Sequence, residues 1–166
     1  MYFVSWILQQ SKVWALITII PYLFSYFLYN FYFLGKWGKT IGKNTVKIRV
    51  LSLDGSPITW HQAFLRHSVD FIFATLNTIA MLITLSNMPE SAFTGKSLDV
   101  FDTVFDRYLP QWDDWVTIGT AIWCLSELVV LLFNKKRRAI HDFIAGTVVV
   151  HEESLSNQQI NKGLIR

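Results

Sequence analysis

The sequence predicts an all-α integral membrane protein: three transmembrane helices, a small two-stranded β cap in the cytoplasm, and an amphipathic helix on the outer face. Three observations predict it. Three stretches of 19 to 22 residues carry one acid or no charge at all. The connections between them are sharply asymmetric in charge. Two short β-branched runs lie on the basic side. Charged residues are 16% of the chain, against roughly 25% in an average soluble domain, and the deficit falls in those stretches. With 166 residues the chain is at most one domain, placed at 1–151 and followed by a flexible polar cytoplasmic tail from 152 to 166.

Composition excludes several classes. The net charge is +3, but the cations sit beside apolar runs rather than forming a nucleic-acid face, so a membrane surface explains them. The single Cys124 rules out an internal disulfide and a cysteine-cluster metal site. No cleavable signal peptide is expected, because no Lys or Arg precedes the first apolar residues and no small-residue cleavage site follows them.

In order, MYFVSWIL is apolar but too short to span, and reads as an interfacial segment or the end of a longer helix. Val13 to Leu34 follows, 22 residues without a charge, about 33 Å as a helix against a hydrocarbon core of about 30 Å. Pro21 lies inside it, which a membrane helix tolerates. Val46, Ile48 and Val50 alternate with Lys47 and Arg49 as a strand, and Asp54-Gly55-Ser56-Pro57 is turn chemistry. Trp60 to His67 reads as leading into the second helix, with the interface as the place where it would lie. Ser68 to Ser86 and Trp115 to Phe133 are the second and third spans, each with one acid, Asp70 and Glu127. Between them Leu98, Phe101, Phe105, Tyr108 and Leu109 recur at helical spacing, predicting an amphipathic helix resting on the outer membrane face. Thr147 to His151 is the second strand, expected to pair with Lys47–Val50 because one strand alone is unstable.

Charge sets the predicted orientation. Residues 35–67 hold Lys36, Lys39, Lys43, Lys47, Arg49 and Arg66 against Asp54. Residues 87–114 hold Glu90, Asp99, Asp102, Asp106, Asp113 and Asp114 against Lys96 and Arg107. The positive-inside rule puts the first connection and the C-terminus in the cytoplasm and the acidic connection outside. Lys135, Lys136, Arg137 and Arg138 after the third span fit anionic lipid headgroups. The N-terminus then lies outside, an odd place for this chain to start, so the chain is expected to lack a helix that its relatives possess, by a late start or by genuine loss.

Polar residues within the spans carry the functional signal. Arg66, Asp70, Ala74, Asn77 and Thr84 share one helical face, and Thr117, Thr120, Cys124 and Glu127 share another. Hydroxyls suit helix packing. An acid in a span costs on the order of 3 kcal/mol, so Glu127 needs a partner, a water-filled cavity or a proton, with Asp70 and Arg66 in support. Gly38-Lys39-Thr40-Ile41-Gly42-Lys43 lacks the spacing of a phosphate loop and the Ser or Thr after its lysine. His141-Asp142 lacks further ligands for a metal, and no nucleophile turn accompanies it. No enzyme activity, cofactor or metal is expected.

The ordered set Gly38-Lys39-Thr40-Ile41-Gly42-Lys43, Lys47-Ile48-Arg49-Val50, Asp54-Gly55, Ala63 with Arg66, and Arg138 with His141-Asp142 through Gly146-Thr147 resembles the RDD family of bacterial membrane proteins. The likeness runs over residues 35 to 150. It implies a multi-pass protein of the bacterial inner membrane, often suspected of transport. Family members carry a signature arginine and a first aspartate in an early helix, absent from residues 1–34; Asp142 matches the remaining aspartate. The leading expectation is a transport-related protein binding or moving a monovalent cation or proton through Glu127. Three helices are few for a pathway, so it requires a homo-oligomer or a partner membrane protein. The alternative is a non-transporting scaffold whose basic cap binds anionic lipid or a partner. A cavity reaching Glu127 favours the first, and a sealed Glu127 the second.

Overall fold

The computed structural model describes residues 11–93, 98–134 and 138–154. The initial MYFVSWIL, Lys135, Lys136, Arg137 and the tail from 155 lie outside the described residues. The elements in order are α1 (Lys12–Trp37), α2 (Ile41–Thr45), β1 (Ile48–Ser52), α3 (Trp60–Asn87), a 3-10 turn (Glu90–Ala92), α4 (Leu98–Tyr108), α5 (Asp113–Phe133), α6 (Ile140–Ala145) and β2 (Thr147–His151). Helices α1, α3 and α5 are each long and apolar enough to cross a membrane. In their most apolar stretches only 11%, 17% and 6% of residues are buried within the protein. Their greasy surfaces therefore face outward, the reverse of a water-soluble core.

The described residues form two compact units. The first comprises residues up to Tyr26 and Asp70–Ile122. Its core packs Ala15 and Ile19 of α1 with Leu85, Met88, Ala92, Phe93 and Phe101. Lys12 Nζ donates to the Ser86 carbonyl at 2.6 Å and the Met88 carbonyl at 3.0 Å, so a cation satisfies the bare carbonyls that end α3. Phe101 of α4 is 3% exposed and stacks edge-on against Phe93. The apolar face of α4 is thus partly taken up by protein, with Phe101 and Phe105 against that core while Tyr108 stays 38% exposed. Asp99, Asp102 and Asp106 stand away from that core.

The second unit comprises Phe27–Val69 and residues from Trp123 onward. Leu34, Val50, Ile58 and Ala63 form its core, with Phe31 and Val149 against them. The strands pair antiparallel from Ile48↔His151 to Ser52↔Thr147, as the β-branched runs predict. Lys47 stands just before β1 with φ +54. The turn after β1 is closed by Asp54, whose Oδ1 accepts the Ser56 N–H at 3.0 Å and the Ser56 hydroxyl at 2.7 Å. Those bonds hold its carboxyl below the usual range. Trp60–His67 leads into the second span as expected and is continuous with it as the first part of α3. Thr59 begins that helix, its hydroxyl accepting the Gln62 N–H at 3.2 Å while Gln62 Oε1 accepts the Thr59 N–H at 3.0 Å. This reciprocal cap draws Arg66 into a regular helix.

Gly38 follows α1 with φ +66, and its carbonyl accepts the Val50 N–H at 2.7 Å. A Cβ there would sit 2.8 Å from the Val50 carbonyl oxygen. Gly38→Ala is expected to destabilise the protein by about 1–2 kcal/mol through the left-handed backbone alone, read as a lowered thermal midpoint in detergent. An unchanged midpoint would refute the strain argument. At Gly42 a Cβ would meet nothing within 4 Å, so its place in the glycine-lysine motif has no steric reason here.

Candidate functional site

The second unit gathers most of the polar residues that the sequence singles out. Arg66, projecting from α3, is buried at 5% exposure and Asp142, in the first turn of α6, at 1%. The Arg66 guanidinium pairs directly with Asp142 Oδ1 and donates to Thr147 Oγ1 at 2.8 Å. The Thr147 hydroxyl donates to the same Oδ1 at 2.9 Å. Asp142 Oδ2 accepts the Ala139 N–H at 3.1 Å, the carboxylate half of a capping box; Ala139 has no oxygen to return the bond. Arg138 closes the other side. Its Nε donates to the Thr147 carbonyl at 3.0 Å and its NH2 to the Asp142 carbonyl at 3.0 Å, with the guanidinium 4.1 Å from the Phe143 ring centre. Gly146 ends α6 with φ +64, the left-handed cap that glycine takes most readily, which turns the chain into β2.

Glu127 lies six residues before the end of α5. Its Oε1 accepts the His141 N–H at 2.9 Å, and its Oε2 contacts His141 Nδ1. That N–H is one of the donors left bare at the start of α6, so two carboxylates complete one helix start. Asp142 serves the cap residue and Glu127 serves His141. With the imidazole neutral, Nδ1 carries the proton because a carboxylate oxygen only accepts. His141 Nε2 then faces Asp142 Oδ2 at 3.8 Å.

Burial, then the charge of Arg66, holds the His141 pKa below its ordinary 6.5 despite the nearby acids. Lys43 on α2 is half-buried and likewise lowered, by burial first and by Arg66 second. The folded state thus disfavours the second proton on His141, which the unfolded chain accepts below pH 6.5. The stability so contributed is complete above that pH and is lost as pH falls toward the folded pKa. Thermal midpoints in detergent are expected to drop between pH 6.5 and pH 4.5, above the range where Glu152 begins to titrate. His141→Gln should flatten that slope; a midpoint rising on acidification would overturn the account.

The remaining predicted residues fall elsewhere. Lys39 Nζ binds Glu152 Oε1 at 2.7 Å, shared with Arg49 Nε at 3.3 Å, which keeps the Glu152 carboxyl below its ordinary value. Thr40 precedes α2 without a side-chain capping bond. Asp70 is half-buried on α3 within the first unit. Lys135, Lys136 and Arg137 are outside the described residues, so of the predicted headgroup cations only Arg138 is placed, and it is buried. Sequence reading named Glu127 and His141 separately and missed their contact. The available signal was an acid near the end of a span with a short basic connection after it. Gln62 was also missed; its Nε2 donates to Ser52 Oγ at 3.0 Å and to the Gly146 carbonyl at 3.4 Å.

Three long outward-apolar helices, with a buried ion-pair cluster tying α3 to α6 and β2, define a multi-span helical membrane protein. The RDD family model matches residues 1–146, and the chain belongs to the RDD family. That match starts nearer the N-terminus than the motifs quoted above. No curated protein and no solved structure matches the chain.

Proposed function

We propose that this RDD-family protein is transport-related and that the Glu127–His141 pair takes up and releases a proton. The observation that supports the reading is two titratable groups in direct contact where a candidate span meets α6. A proton fits better than a monovalent metal cation. Glu127 and Asp142 already accept from His141, Arg66, Thr147 and Ala139, and Arg66, Arg138 and Lys43 add positive charge around them. A metal ion would have to displace those donors against that charge, whereas a proton adds to Nε2 beside Asp142. Asp70 and Arg66 serve as supporting groups, Arg66 by holding His141 neutral.

In this reading the protein lies in the bacterial inner membrane, not as an enzyme but as a homo-oligomer or with a partner membrane protein. Residues 35–67 and the C-terminus are cytoplasmic, and the basic residues Lys135, Lys136 and Arg137 meet anionic headgroups, while Arg138 is committed to the buried cluster. Cysteines placed at Lys43 and Asp102 are expected to react with an impermeant thiol reagent from opposite sides. Labelling from one side would end this orientation.

The alternative is a scaffold without transport, supported by Asp142, whose oxygens are taken up by three donors in a sealed setting. Proteoliposomes enclosing a pH-sensitive dye separate the two. Transport predicts that an imposed pH gradient decays faster with the protein than without, and that Glu127→Gln removes the difference. No decay above empty liposomes would leave the scaffold reading.

A further inference from the structure

The cytoplasm-facing end of α1 in the reading above carries a feature that the proton site does not use. A shallow cavity of about 260 Å³ is lined by Phe33, Trp37, Lys39, Thr40, Ile41 and Asn44. Its size is below the roughly 300–1,000 Å³ of a pocket for a drug-sized ligand, so it holds part of a chain rather than a whole small molecule. Its walls are almost entirely apolar. Phe33, Trp37 and Ile41 are apolar, and Trp37 and Ile41 stay 45% and 61% exposed. Lys39, Thr40 and Asn44 complete the lining, almost all of it through their apolar atoms, and the Lys39 ammonium reaches past it to Glu152. Lys36 stands beside them, its Nζ 5.0 Å from the Trp37 ring centre and 5.3 Å from that of Tyr32.

We infer that this notch seats one anionic glycerophospholipid, with an acyl segment against Phe33, Trp37 and Ile41 and its phosphate beside the notch, toward the ammonium groups of Lys36 and Lys39. The inference rests on α1 spanning the bilayer. Three features of the site choose this occupant. Tyr29, Tyr32, Phe33, Trp37 and Trp60 put aromatic rings at the end of a candidate span, and such belts sit at headgroup depth. Charge is complementary to an anion: Lys36, Lys39 and Arg49 face one acid, Glu152, which Lys39 and Arg49 already share. Lys39 spends one of its three donors on Glu152 and keeps others for a phosphate. Ile41 is held in place by its N–H, which donates to the Tyr29 hydroxyl at 3.3 Å, so the apolar wall is fixed to α1.

The test uses the whole chain in nanodiscs containing trace phosphatidylglycerol or phosphatidylcholine with a diazirine in the acyl chain, and maps adducts by mass spectrometry. Phosphatidylglycerol adducts are expected on Phe33, Trp37 or Ile41. They should fall about fivefold in Lys39→Gln, the scale of one lost cation at a membrane surface. Ile41→Trp keeps every cation, alters an exposed side chain and fills the notch; it should remove the adducts while the thermal midpoint holds. Equal labelling by phosphatidylcholine would overturn recognition of the anionic headgroup. Adducts unchanged by Ile41→Trp would overturn the notch, and competition by inorganic phosphate would overturn a lipid occupant. Failure of the spanning reading shows separately, as reaction of a cysteine at Leu28 with an impermeant reagent.

Discussion

Replacing Asp142 by Asn is expected to destabilise the protein by about 3–5 kcal/mol, the range for breaking one partner out of a buried ion pair. Asp142 is 1% exposed and Arg66 5%, so the arginine would keep its charge without a counter-charge and without water. The isosteric amide does not repair the loss. One carboxylate oxygen becomes an NH2, and the hydrogen-bond partners of either oxygen are donors: Arg66 and Thr147 at Oδ1, the Ala139 N–H at Oδ2. The expected result is a steep fall in folded protein recovered from membranes and a lowered thermal midpoint in detergent. Replacing both partners, Arg66→Met with Asp142→Leu, should recover much of the stability, since apolar pairs of similar volume often match a buried ion pair. Normal yield and midpoint for Asp142→Asn, with an assigned activity lost, would reject the structural role.

What the sequence made legible follows from the range of each interaction. The spans could be read because a charge-free run of membrane length is a local property. The strands could be read because Thr147, Val148 and Val149 are β-branched and Asp54-Gly55 turns sharply. At the first part of α3 the partner of Arg66 was not legible, for a definite reason. Trp60, His61, Arg66 and His67 look like residues of an aqueous interface, and nothing local says that Arg66 meets an acid 76 positions later. α4 shows the same limit. Its periodicity fixes which side is apolar, but Phe93 and Met88, which cover Phe101, are fixed by tertiary packing. The expectation that Glu127 must find a partner came from the cost of a carboxylate in a span. That the partner is a histidine beyond the basic connection depends on the path of that connection, which composition does not encode.

Glu127 and His141 are expected to be coupled by about 1.5–3 kcal/mol, the range for hydrogen bonds to a charged group. A double-mutant cycle with Glu127→Gln and His141→Ala reads this energy from unfolding in detergent. His141→Ala keeps the backbone N–H that Glu127 Oε1 accepts, so it removes the ring contact alone. Glu127→Gln keeps an acceptor for that N–H and removes the charge that faces Nδ1. Each single change should therefore cost stability, and the double change should cost less than their sum. Additive costs would mean that the ring and the carboxylate do not act together, and the proton site would lose its physical basis. Coupling of the expected size, with Glu127→Gln still passing protons in proteoliposomes, would keep the contact as a brace between α5 and α6 and discard it as the proton carrier. Coupling together with loss of flux is the outcome that the transport reading requires, because a group that only braced the fold would move the midpoint and leave the flux per folded molecule unchanged.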